Sequence, residues 1–168
     1  MPRPPTRCRL AVLKREGITF MTRIRRILFA SDFSKASGKA FATAVALAKA
    51  NRGTLTMLHV VAPFTPIMPE QYIGTQTWEQ IDLQGRQWAK RELARLAETA
   101  KKAGVRATEL LVDGDPARQI VRTARSKKAD LVVVGTHGRT GLTKLFLGSV
   151  AARVVATALC PVVTVRGK

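Results

Sequence analysis

Aromatic residues are scarce in this 168-residue chain, at 5%, cysteines number two, and acids are outnumbered, 11 against 29 basic side chains. Each shortage excludes something. Few aromatics leave little from which to build a stacking platform for single-stranded bases. Cys8 and Cys160 are far apart and follow no secretory leader, so they make no disulfide framework, and a reducing, cytoplasmic setting is expected. No apolar run approaches the ~18 residues that span a bilayer. The longest useful stretches, Phe41–Ala48 and Leu131–Val134, have the size of a helix and a strand. The four soft ligand candidates, Cys8, His59, His137 and Cys160, lack any zinc spacing, so no metal site is expected.

The lack of acids leaves a formal net charge of +18. Such an excess favours anionic partners: nucleotide, nucleic acid or acidic lipid. It also serves plain solubility. No block of five or six like charges occurs, which with the few aromatics leaves a single-strand stacking platform poorly supported. The 46% apolar and 24% charged fractions are those of a globular protein, and the length is that of one domain. A core of this size needs neither disulfide nor metal.

Met1–Phe20 differs from the rest, with three prolines, five basic residues and the single acid Glu16. Its apolar run, Leu10–Leu13, is too short for a leader, and it has no serine, unlike an organellar presequence. Met21 then opens MTRIRRILFASDFS, which reads as a natural start. Residues 1–20 are expected to be an unstructured extension or a misassigned start, with the folded domain in 21–168.

From there strands and helices alternate. Ile24–Ala30 reads as a strand, and Ser31-Asp32-Phe33-Ser34 offers N-cap oxygens to a helix over Ala36–Asn51, where Phe41, Val45 and Ala48 share a face. Gly53 suits a left-handed C-cap. Thr54–Val61 is a second strand, and Ala62–Thr75, with three prolines and Gly74, is a loop long enough to suspect a function. Gln76–Ala103 reads as a long helix with Ile81, Trp88, Leu96 and Ala100 along its apolar stripe. Val105–Val112 is a third strand. Asp115 and Pro116 are cap and first residue of a helix running to Lys128, with Arg118, Arg122 and Arg125 on one side. Asp130–Gly135 is a fourth strand, apolar enough to be buried on both faces. A helix over Thr143–Ala158 and a last strand, Pro161–Arg166, complete the series. Five strands separated by helices predict one α/β domain, a parallel sheet with right-handed crossovers and helices on both faces. In such sheets ligands lie beyond the carboxyl ends of the strands at the switch point. Ala30–Asp32, His59–Val61 and Gly135–Gly138 should therefore meet at one crevice.

The chemistry follows the fourth strand. Gly135, Gly138 and Gly141 recur at every third position, and Gly148-Ser149 follows seven residues later. Glycines between a strand and a helix let backbone N–H groups approach phosphate oxygens, although they also suit a tight turn. His137 is a candidate phosphate contact, and Arg139 and Lys144 would raise the local positive potential. Neither a Walker loop nor G-x-G-x-x-G is present, and Gly148-Ser149-Val150-Ala151 is no nucleophile elbow. No catalytic residue can be nominated.

Gly135-x-x-Gly138, nine residues and Gly148-Ser149 resemble the nucleotide-binding signature of the universal stress protein family. So do ILFASDFS from Ile27, Leu58-His59-Val60-Val61 and Pro161–Val165, and the likeness spans residues 23–166. The resemblance implies a doubly wound five-stranded sheet of order 3-2-1-4-5, ATP as ligand, with Mg2+ as a possible companion, and a homodimer through the last strand. It implies that Asp32 faces ribose or adenine, that Val60 holds adenine through its backbone, and that Gly135, Gly138, Gly148 and Ser149 line the phosphates, with Val150 beside them. Ala30 stands where the family often has proline. The implied function is a stress-response regulator in which the nucleotide is mainly a conformational ligand. The alternatives are an adenine-nucleotide enzyme, a slow ATPase or an adenylating enzyme, and a nucleic-acid-associated protein. Specific nucleic-acid recognition is not expected, because the basic residues are spread along the chain.

Overall fold

The computed structural model describes residues 11–14, 17–20, 24–63, 75–136 and 148–167. Five parallel strands form the sheet: β3 (Arg26–Ser31), β4 (Thr54–Val61), β5 (Arg106–Asp113), β6 (Leu131–Gly135) and β7 (Val162–Val165), in spatial order β5-β4-β3-β6-β7. Counted within this sheet the order is 3-2-1-4-5, the doubly wound arrangement expected. Four helices connect them: α1 (Lys35–Ala50), α2 (Thr75–Lys102), α3 (Pro116–Ser126) and α4 (Ser149–Thr157).

The central strands are apolar throughout because both faces are covered. Along β3, Ile27 and Phe29 face α1 and α2, packing with Phe41, Ala44, Leu93 and Leu96. Leu28 points the other way, onto Ile120 and Ala124 of α3 and Val154 of α4. In β6 the same alternation sends Leu131 and Val133 to the first layer and Val132 and Val134 to the second. Asp130 ties the entry of β6 to β3: its Oδ2 accepts from the N–H groups of Arg25 and Arg26 at 2.9 and 2.8 Å. Asp115 caps α3, accepting from the Arg118 N–H at 2.9 Å, and Pro116 takes the first turn, as its sequence predicts.

Two expectations are corrected, and one is made specific. The left-handed residue after α1 is Arg52 (φ 51), not Gly53. Gly53 is needed for proximity instead, since a Cβ there would sit 2.5 Å from the Arg25 carbonyl oxygen. The cap of α1 is Ser34, whose hydroxyl accepts from the Ser37 N–H at 3.2 Å. On α2, Ile81 and Trp88 are not core: they are 50% and 39% exposed, and among the described side chains burial starts at Ala89. The cause is length. Twenty-eight residues make a helix of about 42 Å. Its eight-residue neighbours β4 and β5 span only about 26 Å. The first half of α2 overhangs the sheet.

In the segment expected to be unstructured, β1 (Ala11–Lys14) and β2 (Gly17–Phe20) pair antiparallel, Ala11 opposite Phe20, as a separate two-stranded sheet. Apolar and β-branched residues favour that pairing. Most of the proline-rich loop and the first residues of the helix expected from Thr143 lie outside the described residues. Among the described residues no helix is long and apolar enough to cross a membrane.

Candidate functional site

The strand order reverses between β3 and β6, and a cavity of about 350 Å3 opens beyond their carboxyl ends. Its volume lies in the range of small-molecule sites. β3 and the turn after it contribute Ala30, Ser31 and Asp32, and β4 contributes Leu58, His59 and Val60. β6 contributes Val134 and Gly135, continuing into Thr136, while Gly148, Ser149 and Val150 enter with α4. Thus Ala30, Asp32, Val60, Gly135, Gly148, Ser149 and Val150 come together from four segments. His137, Gly138 and Arg139 lie outside the described residues.

The turn after β3 is wired by its own side chains. The Asp32 Oδ1 accepts from the Ser34 N–H at 3.1 Å. The Ser31 hydroxyl accepts from the Phe33 N–H at 3.1 Å and lies 2.7 Å from the Ser37 hydroxyl. Asx and Ser turns of this kind are why such residues end strands and open helices. They hold the Asp32 carboxylate at the crevice with Oδ2 unbonded among the described residues. Phe33 is held in the left-handed region (φ 59), unusual for a bulky residue. Its ring packs on His59 at 4.5 Å between centroids and edge-on to Trp88 at 5.0 Å. The His59 Nδ1–H donates to the Ser31 carbonyl at 2.7 Å, which fixes that ring beside the turn. This contact accounts for Trp88, which packs on Phe33 at the turn after β3 rather than in the core.

On the opposite side, the Gly148 N–H donates to the Thr136 carbonyl at 2.7 Å, and the Thr136 N–H donates to Val165 at 2.9 Å. The two ends of the glycine-rich segment therefore meet where β6 and β7 finish. Gly148 is the N-cap of α4 and makes no side-chain cap bond; the first helical bond returns from Ala152 to Gly148 at 2.9 Å. The N–H groups of Ser149, Val150 and Ala151 are thus left without helical acceptors, at the positive end of the helix dipole. All three residues line the cavity. Gly135 serves packing as well: a Cβ there would come within 3.3 Å of the α1 backbone at Ala36 and Ser37.

Sequence reasoning missed the wall made by Pro116 and Ile120 of α3. The signal available was the Asp115-Pro116 helix start directly after a strand, which puts the first turn of that helix at the same end of the sheet.

An α/β domain with a largely apolar crevice, bearing a carboxylate and an open helix start, at its switch point is the class of protein these features define. The comparisons narrow it. A model of the universal stress protein family matches residues 23–166, and the chain belongs to that family. It is 35% identical over 144 residues to universal stress protein MJ0531 of Methanocaldococcus jannaschii, covering 84% of this chain and 82% of that one. With YxiE of Bacillus subtilis the identity is 33%, covering 84% and 98%. Among solved structures it resembles hypothetical protein MJ0577, with a TM-score of 0.72 and 25% identity over 88% of this chain and 99% of that one. A universal stress protein solved in complex with cAMP superposes with a TM-score of 0.66 and 25% identity, over 88% and 100%.

Proposed function

We propose that the chain binds ATP in this crevice and works as a stress-response protein whose nucleotide acts mainly as a conformational ligand. One observation carries the reading: an acidic turn, a strand-end backbone and the open first turn of a helix converge on one cavity. The Asp32 Oδ2 would accept from ribose hydroxyls. The Val60 backbone would pair with the adenine edge, between Ala30 and the apolar wall of Pro116 and Ile120. The N–H groups of Ser149 and Val150 would receive phosphate, which an α-helix start favours without further charge. Gly148 keeps that approach free of a Cβ, and Gly135 sits beside it. His137, Gly138 and Arg139 would complete the phosphate side, and Mg2+ would neutralise the triphosphate. The cAMP complex of the structural neighbour supports an adenine nucleotide as the ligand class. The domain with this role is proposed to span residues 21–168, with 1–20 outside it, and to pair with a second copy through β7.

Calorimetry with Mg-ATP tests the reading. Gly148→Val sets a branched side chain at the phosphate approach and should weaken binding at least tenfold, about 1.4 kcal/mol. Asp32→Ala should weaken it with adenosine as well, because its partner is the ribose. Undiminished affinity in both folded variants would remove the assignment.

A further inference from the structure

A second cavity, of about 190 Å3, opens at the other end of the sheet. It lies between the last turn of α3 and the turn joining α4 to β7. Val121, Ala124 and Ala129 wall one side, and Leu159 and Cys160 the other. Arg125 and Lys128 complete the lining, and both are exposed. Leu159 is 76% exposed, an apolar side chain with little of its own fold to cover it.

The charges at this cavity are uncompensated. Arg86, Arg95, Lys102 and Arg153 are each matched to a carboxylate. Arg125 and Lys128 make no ion pair among the described residues. Neither α3 nor α4 contains an acid. The acids flanking α3 are engaged elsewhere: Asp113 with Arg86, Asp115 with Arg153 and Asp130 with Arg26. Burial first, and the Asp130 carboxylate second, push the Cys160 thiol up, so this wall stays neutral. An apolar pocket bordered by two unmatched cations favours an apolar body and an anionic head together.

We propose that this cavity binds a small amphipathic anion, a short aliphatic chain under one acidic head, carboxylate or phosphate. The chain lies against Val121, Ala124 and Leu159, and the head is held by Arg125 and Lys128. The site is distinct from the nucleotide crevice. β6 begins beside it and ends at the crevice, and its five residues separate the two by about 16 Å.

Timed maleimide labelling of Cys160, in full-length Cys8→Ser protein, tests the proposal with octanoate and octyl phosphate as probes below their micellar concentrations. Both anions, or one if the cations discriminate between heads, should slow labelling at least fivefold and saturably. Octanol, which lacks the charge, and inorganic phosphate, which lacks the chain, should change it less than twofold at equal concentration. Arg125→Gln and Lys128→Gln, singly and together, sit on exposed positions and should weaken protection, at least tenfold when combined. Mg-ATP calorimetry on the same double variant should be unchanged, so this site and the nucleotide reading fail separately. Absence of protection by either anion would overturn the proposal. So would equal protection by octanol, protection that survives the double variant, or protection that appears without ligand as protein concentration rises, which would mean a second copy covers the cavity.

Discussion

Gly53 and Arg52 divide a task usually given to one residue. Arg52 takes the left-handed conformation after α1, and Gly53 lets the chain pass against β3, where the Thr54 N–H donates to the Arg25 carbonyl at 2.6 Å. Gly53→Ala would drive a Cβ to 2.5 Å from that same oxygen, a backbone atom that cannot swing away. The expected loss is about 2–3 kcal/mol, the scale of overpacking. Arg52→Gly should be neutral or stabilising by up to ~1 kcal/mol, because glycine adopts the left-handed region without steric cost. Urea unfolding of both variants checks the pair, and a larger loss at Arg52 than at Gly53 would refute the division. Asp32 shows the same limit of sequence reading. A carboxylate at a strand end was legible; that Ser34 caps α1 and leaves one Asp32 oxygen open depends on the path of the turn.

Among the elements, α2 departs most from expectation. Its overhang is anchored by Arg86, which reaches Asp82 one turn back at 2.6 Å and grips Asp113 at the end of β5 at 2.6 and 3.2 Å. The hydrogen bond from Arg86 holds the Asp113 carboxyl below its ordinary range. A carboxylate whose pKa falls on folding stabilises the native state above its unfolded value, near 3.9, and that contribution is lost as pH falls through the lower folded value. Both side chains are substantially exposed, so the effect on global stability should be small. The local effect should be visible. Protection against hydrogen exchange in the first half of α2, taken relative to the intrinsic rate at each pH, should fall below about pH 4 while that of the buried strands is kept. Arg86→Gln should produce the same loss of protection at neutral pH. If exchange in α2 and β6 rises together, the overhang is not held by this pair. The 3.6-residue period of α2 was plain in the sequence, but a period cannot reveal how much of a helix has a sheet beneath it.

At the scale of the molecule, β7 is one edge of the sheet. The Val132 N–H donates to the Pro161 carbonyl and the Thr136 N–H to the Val165 carbonyl, so Pro161, Val163 and Val165 turn their backbone groups to β6. Val162 and Thr164 then turn theirs outward, where a second copy can pair. Val163 packs on the core and is a poor place to test this, whereas Thr164 is exposed. Thr164→Pro removes an outward N–H and leaves the inner ladder intact. Light scattering should find a dimer in the parent and a monomer in the variant. A parent already monomeric at high concentration would end the proposal.

The residues alone determined the alternation of strands and helices, the fully buried Leu131–Val134 strand, the Asp115-Pro116 helix start and the glycine-serine spacing after β6. These are local properties: period, cap chemistry and backbone freedom act within a few residues. Only the tertiary structure decided what depends on distance through space. The α3 wall of Pro116 and Ile120, the Phe33 contact with His59 and Trp88, the passage of Gly53 against Arg25 and the overhang of α2 join segments far apart in the chain. Side-chain type allows such contacts, but the lengths and crossings of packed elements select which of them form.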